Sequence, residues 1–288
     1  MKSFIAATAL AALASAAASD HWAVIIAGSN TYGNYRHQSD THHAVQIMLN
    51  NGIPRENIIH MAYDDIANND SNPFPGQIFN KPLSSTAQAD IDAANVYDSS
   101  HIDYKGTAVT AANFYKVLKG DDSAGPALKS NTNSHVFVNF ADHGGSGLLG
   151  VPYGCGPYIY ADDLDNTLQW MKDNGMFKQL TFYVEACESG SIFPTLTADE
   201  TIYGLTASNA TQSSWATYCG SSAYVGGKYI GSCLGDLFSV NWMEDSDAND
   251  LSTESLRTQY NTVKAKTTAS PVEQFGDLSW LDEPVGDF

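Results

Sequence analysis

Leu180-Thr-Phe-Tyr-Val-Glu-Ala-Cys187-Glu-Ser-Gly190 is the stretch on which the reading of this chain turns. A run of apolar, β-prone residues (Phe182, Tyr183, Val184) stops at Glu185-Ala-Cys187 and gives way to Ser189, Gly190 and Ser191. Short apolar runs bounded by turn residues read as strands buried on both faces, the signature of a parallel sheet. Cys187 therefore stands where a strand gives out, at the edge where open α/β sheets hold their ligands.

A second stretch has the same form: His135-Val-Phe-Val-Asn-Phe-Ala-Asp142-His143-Gly144-Gly145-Ser-Gly147. If the two are neighbouring parallel strands, His143 and Cys187 emerge side by side, and the chain between them is long enough for one crossover helix. A Cys beside a His is a nucleophile beside its base. Gly144 lets backbone approach a substrate closely, and its N–H is a candidate oxyanion donor. The alternative for Cys187 taken alone, a buried structural thiol, loses ground once His143 is set beside it.

Outward from this pair the strands alternate with helices. His21 to Ala27 reads as the first strand and Ile58 to Tyr63 as the second, with a helix from Thr41 to Asn50 between them, Asp40 as its N-cap and Gly52 as its stop. Residues 64 to 105, with Pro73, Pro75 and Pro82, read as a long surface connection. Helices are predicted over Thr110 to Leu118, Ala161 to Lys172, Leu234 to Met243 and Thr253 to Lys266, and a further strand over Thr201 to Thr206. Ala207 to Gly231 reads as a loop, and the tail from Val272 to Phe288 has no periodicity. This order predicts a three-layer α/β fold.

The chain has 288 residues, 43% hydrophobic and 16% charged, which suits a globular domain. Its formal charge of -18, from 14 basic and 32 acidic residues, argues against nucleic acid as a partner. Self-repulsion at that charge eases as carboxylates protonate, which points towards an acidic compartment. Lys2, an apolar core from Phe4 to Leu13 and an Ala/Ser-rich tail read as a signal peptide over residues 1–19, too short for a membrane span. Sequons at Asn69 and Asn209 suit the same route. With Cys187 set aside, Cys155, Cys219 and Cys233 allow at most one disulfide, Cys219 with Cys233 being the most natural pair.

Several blocks together resemble the legumains, the asparaginyl endopeptidases of the caspase-related cysteine peptidases. These are Asp142-His143-Gly144 and Glu185-Ala-Cys187-Glu-Ser-Gly190, with Ala27-Gly-Ser-Asn30, Asn34-Tyr-Arg-His37, Asn51-Gly-Ile-Pro54, Tyr63-Asp-Asp-Ile66 and Leu234-Gly-Asp236. The resemblance runs over roughly residues 21 to 265. It implies the caspase-like version of the three-layer fold, with a mostly parallel central sheet flanked by helices, in a peptidase domain over residues 20–270 followed by a tail over 271–288. It implies Cys187 as nucleophile, His143 as acid and base, Gly144 as oxyanion donor and Asn34 as the group orienting His143. It places Arg36, His37, Glu185, Ser213 and Asp236 in a pocket for Asn at P1, with Ser214 nearly as good a match as Ser213. Peptide and protein substrates and cystatin-type inhibitors are the partners it implies. The helical prodomain that legumains commonly carry C-terminally has no room before Phe288, so none is expected. A peptide ligase or transamidase using the same thioester, or a binding protein on this fold, are the alternatives.

Other motifs are set aside on chemistry. Gly145-Ser-Gly147-Leu-Leu-Gly150 matches a dinucleotide fingerprint, but Val151-Pro-Tyr-Gly-Cys-Gly-Pro157 cannot open the helix that fingerprint needs. Glu244 to Asp250 fails the EF-hand pattern, because Asp250 stands where Gly is needed, and it reads as a solvated acidic turn. His37, His42 and His43 cluster in sequence without metal-ligand spacing, so no metal and no cofactor is expected.

Overall fold

Strand β1 (His21–Ala27) sends Trp22, Val24 and Ile26 into one apolar cluster and Ala23 and Ile25 into another. A strand dry on both faces must be covered on both. The computed structural model, which describes residues 20–198 and 201–288, supplies that cover with helices on either side of a six-stranded sheet. The predicted signal peptide lies outside the described residues.

The other strands are β2 (Ile58–Met61), β3 (His135–Ala141), β4 (Gln179–Glu185), β5 (Ile202–Thr206) and β6 (Glu273–Gly276). Their order across the sheet is β6-β5-β4-β3-β1-β2. All pairings are parallel except β6 on β5, which is antiparallel. Helices α3 (Ala111–Leu118) and α4 (Ala161–Asp173) cover the face that carries Val24, Val138 and Phe182. Helices α1 (Tyr35–Asn50), α5 (Leu237–Ala248) and α6 (Leu256–Lys266) cover the opposite face, where Ile25, Phe137 and Tyr183 point. Thr110 and Ser255 cap α3 and α6 by accepting from Asn113 and Thr258 N–H groups. A three-layer α/β architecture is thus in place, with α2 (Gln88–Ala94) in the long connection before α3.

Several expectations change. Helix α1 starts at Tyr35, six residues before the predicted start, so Asp40 is buried inside it and caps nothing. The connection over 64–105 is not a bare surface loop. Its Ile66, Phe74, Ile78, Phe79, Ile91 and Val96 build a third apolar cluster with Tyr35, Val225, Ile230 and Leu234. The acidic turn is helix: α5 continues to Ala248, and Asp245 is buried there, accepting from Asn249 Nδ2. The aperiodic C-terminal stretch adds the edge strand β6, and Trp280, Leu281 and Phe288 enter the core. A two-strand ladder of Gly144–Gly145 with Leu148–Leu149 occupies the dinucleotide-like motif, as the rejection of a helix there required. Cys219 and Cys233 are bonded, while Cys155 and Cys187 are free.

Candidate active site

The sheet register brings the site together. Ala27 pairs with Ala141 and Ala141 with Glu185, so β1, β3 and β4 end level with one another. Gly28 N–H donates to Ala141 O and Asp142 N–H to Glu185 O, carrying the pairing one residue past each strand end. His143 and Cys187 therefore leave the same carboxyl edge from adjacent strands.

His143 is exposed and Cys187 half-buried. Asn34 Nδ2 donates to Asn30 O at 2.9 Å, which turns Asn34 Oδ1 towards the imidazole. That oxygen lies 3.0 Å from His143 Nε2, so Nε2 carries the proton and donates, leaving the Nδ1 lone pair for proton transfer. Cys187 Sγ sits 3.7 Å from Ser214 O. The next residue, Glu188, adopts φ 54°, a left-handed conformation uncommon for a residue with a side chain. Ser191 braces that turn: its Oγ donates to Glu188 O at 2.6 Å and accepts from Gly147 N–H at 2.8 Å, tying the cysteine turn to the glycine loop after His143. A side chain on Gly144 would place its Cβ 2.6 Å from Cys187 O, so only glycine lets the two segments approach this closely.

Beneath the pair lies a layer of buried charge. Arg36 Nε donates to Asp236 Oδ1 at 2.9 Å. Ser239 donates twice to Glu185 Oε2, from N–H at 2.8 Å and from Oγ at 3.1 Å, and Glu185 Oε1 is buried without a hydrogen-bond partner. Burial, with Asp236 adding to it, pushes the Glu185 carboxyl above the usual range. His37 lies 3.0 Å from Asp142 Oδ1, 2.7 Å from Ser29 Oγ and 3.5 Å from Asp236 Oδ2. Burial drives His37 down to about 3 and Asp142 up to about 7. At mildly acidic pH their contact therefore joins a neutral imidazole to a protonated carboxyl, although its geometry is that of an ion pair.

Of the residues singled out from sequence, Cys187, His143, Gly144, Asn34, Arg36, His37, Glu185 and Asp236 converge here. Ser213 does not. It is exposed, with its carbonyl accepting from Ser208 Oγ, while Ser214 is half-buried and its carbonyl faces Cys187 Sγ. Alternation along an extended segment separates the two. Ser29, Asp40 and Ser239 join the site without having been anticipated, each inside an otherwise ordinary turn or helix.

The histidines that adjoin in sequence part company in space. His42 packs edge-on to His60 and Tyr97, and His43 reaches Asn80 and Asp247. Among the described residues, His37, Asp142 and His143 do offer ligand atoms within 4.8 Å of one another. One ring nitrogen of each histidine is taken there, His37 Nδ1 by Ser29 and His143 Nε2 by Asn34. A cavity of about 430 Å³ opens beside His143, lined by Asn30, Asn34, Pro152, Tyr153 and Tyr158. Another of about 420 Å³ lies at the opposite edge, among His21, Phe137 and Thr181 where strands begin, remote from this chemistry.

Residues 21–288 match the family model described as the peptidase C13 family. A vacuolar-processing enzyme of Vicia sativa is 47% identical over 267 residues, which are 89% of this chain and 52% of that protein. A legumain of Rattus norvegicus is 45% identical over 267 residues, 90% of this chain and 57% of its own. The chain thus spans about half the length of the curated relatives it matches. The crystal structure of caspase-1 from Spodoptera frugiperda superposes with a TM-score of 0.50 at 10% identity, covering 91% of this chain and 88% of that one, a likeness of fold alone.

Proposed function

The chain belongs to the peptidase C13 family, and from that membership we propose that it is a cysteine endopeptidase cutting after Asn through Cys187 and His143. The observation that carries this reading is the level ending of β3 and β4, from which His143, held by Asn34, and the free Cys187 leave side by side, with Arg36 paired to Asp236 and Glu185 at the end of β4 close by.

In the proposed reaction Cys187 gives up its thiol proton to His143 Nδ1, and the thiolate sulfur attacks the carbonyl carbon of the scissile bond. The oxyanion is held by backbone N–H groups of Gly144 and Cys187. The C–N bond breaks as His143 returns the proton to the leaving amine, leaving a thioester on Cys187. Water, deprotonated by His143, then attacks the thioester carbon and releases the acid and the thiol.

A carboxamide side chain needs donors for its oxygen and acceptors for its NH₂. Arg36 spends its Nε–H on Asp236 and one Nη1–H on Gly33 O, and in this reading its Nη2 donates to the oxygen while Glu185 and Asp236 accept from the NH₂. A protonated Glu185 also tolerates Asp at P1, as expected at low pH. The raised carboxyls suit an acidic compartment of the secretory route. Peptide and protein segments with Asn at P1 are the proposed substrates.

Aminolysis of the same thioester, giving a ligase, is the second reading, and the roomy cavity beside His143 is the observation that favours it. Mass spectrometry of an Asn-containing peptide incubated with a competing peptide amine tests both. A free carboxylate at the Asn, abolished by thiol alkylation, supports the peptidase; a ligated product as the main species would replace it by the ligase.

A further inference from the structure

The two backbone N–H groups assigned to the oxyanion belong to different segments. Gly144 opens the short ladder with Leu148–Leu149 that follows β3, and Cys187 lies in the turn that follows β4. The last sheet bond between these segments is Asp142 N–H to Glu185 O, so pairing does not extend to the spacing between Gly144 and Cys187. Catalysis depends on that spacing, because both donors must come within about 2.7–3.1 Å of one developing oxyanion.

Ser191, half-buried in the 3₁₀ turn Ser189–Ile192, joins the two segments. Its Oγ accepts from Gly147 N–H at 2.8 Å and donates its proton to Glu188 O at 2.6 Å. Gly145 O, the other acceptor in reach, is 3.3 Å away, outside the usual O–H···O range. Gly147 has φ 71°, a left-handed turn that glycine takes without strain, at the tip of the ladder that Gly144 opens. Among the described residues, no hydrogen bond other than those of the Ser191 hydroxyl joins residues 186–192 to residues 143–150. Other bonds of the cysteine turn go to the loop after β5. Glu188 N–H donates to Gln212 O at 2.8 Å, Gly190 N–H to Ser208 O at 3.0 Å, and Ser189 Oγ to Ser208 O at 3.2 Å. Contact between Gly144 and Cys187 O, too close for any Cβ, sets the lower limit of the spacing, and the Ser191 bridge sets the upper one.

We propose that Ser191 is a positioning residue of the oxyanion hole: its hydroxyl fixes the spacing between the N–H groups of Gly144 and Cys187 and so acts on the transition state of peptide hydrolysis through those two donors. This deepens the peptidase reading and rests on it. Donors that strengthen only as the oxyanion forms change kcat and leave KM nearly alone.

The test is Ser191→Ala, with Ser191→Thr as the variant that keeps a hydroxyl, measured on the peptide that wild type cleaves best. In Ser191→Ala kcat should fall by about tenfold to a hundredfold, with KM within about twofold of wild type. Melting temperature should stay within about 4 °C, as for one hydrogen-bonded group in a domain of this size. A peptide aldehyde reads the hole directly. The Cys187 sulfur bonds to the aldehyde carbon, the π pair moves onto the oxygen that the hole holds, and His143 keeps the thiol proton. Its inhibition constant should weaken by the same factor as kcat. Iodoacetamide is the control: the sulfur displaces iodide, no oxyanion forms, and the alkylation rate should match wild type. Ser191→Thr should recover kcat to within about fivefold. Unchanged kcat in Ser191→Ala would overturn the proposal, as would a rise in KM at constant kcat. Alkylation that slows in step with kcat would also sink it, by placing the effect on the thiol instead of the hole. Failure of the broader reading looks different: a wild type that cleaves no peptide removes the peptidase and this role together, whereas loss of the Asn preference alone leaves the test intact.

Discussion

Asn34 stands at the N-cap position of α1, yet its side chain caps nothing, because it is spent on His143 and Asn30. Asp236 repeats the pattern at α5, where its carboxylate goes to Arg36. Both residue types favour N-caps by accepting orphan N–H groups, so forgoing that bond costs helix stability on the order of 1 kcal/mol and signals another use for the side chain. For Asn34 the use is the tautomer of His143. Asn34→Ala should lower kcat by on the order of tenfold to a hundredfold while leaving KM nearly unchanged, since the lost interaction orients a proton carrier and binds no substrate. Steady-state kinetics decides it; a rise in KM at constant kcat would place Asn34 in substrate binding instead.

At the scale of elements, the strands were the most legible part of the sequence, because β1, β3 and β4 are buried on both faces and read as continuous apolar runs. The first turns of α1 were not. Arg36, His37, Gln38, Ser39 and Asp40 show no apolar period because their largely buried side chains are matched by hydrogen bonds, to Asp236, Ser29, Asp65, Leu234 and Asn80 in turn. Buried polar pairing hid the helix start, and with it Asp40. Ser213 and Ser214 were nearly equivalent in sequence because only the direction of alternation separates them, and nothing local sets that direction. The edge strand β6 was illegible because its hydrophobic content lies in Trp280, Leu281 and Phe288 beyond it. The segment between Cys219 and Cys233 leads from the short strand Ala216–Thr217 to its partner Gly235–Asp236, so the disulfide closes the loop that delivers Asp236. Replacing both cysteines with serine should cost about 3 kcal/mol for a loop of this size, read as a melting temperature lower by roughly 5–10 °C. KM for an Asn peptide should rise as Asp236 loosens. Unchanged KM alongside the lower melting temperature would separate the disulfide from the pocket.

For the whole molecule, two sets of buried groups pull stability in opposite directions with pH. Asp40, Asp142, Glu185, Asp245 and Glu254 are pushed up, chiefly by burial. They hold protons that the unfolded chain releases, so their contribution is lost as pH rises from the ordinary carboxyl range towards neutrality. His37, His42 and His60 are pushed down, again chiefly by burial. The unfolded chain protonates them first, so their contribution is lost as pH falls below about 6.5. Melting temperature should therefore peak in the mildly acidic range and fall on both sides, the formal charge of -18 steepening the neutral side. Calorimetry from pH 3 to 8 checks this; a melting temperature climbing steadily to pH 8 would contradict it.

Across all three scales the central claim is that Cys187, oriented His143 and the Arg36–Glu185–Asp236 pocket form one Asn-directed hydrolytic site. Its most direct test is kcat/KM on a fluorogenic peptide with Asn at P1, from pH 4 to 8. Wild type is compared with Cys187→Ala, and Gln and Asp at P1 serve as controls. The account predicts turnover selective for Asn, joined by Asp only towards acid pH and absent in the variant. Turnover that persists in Cys187→Ala, or that treats Gln and Asn alike, would contradict it.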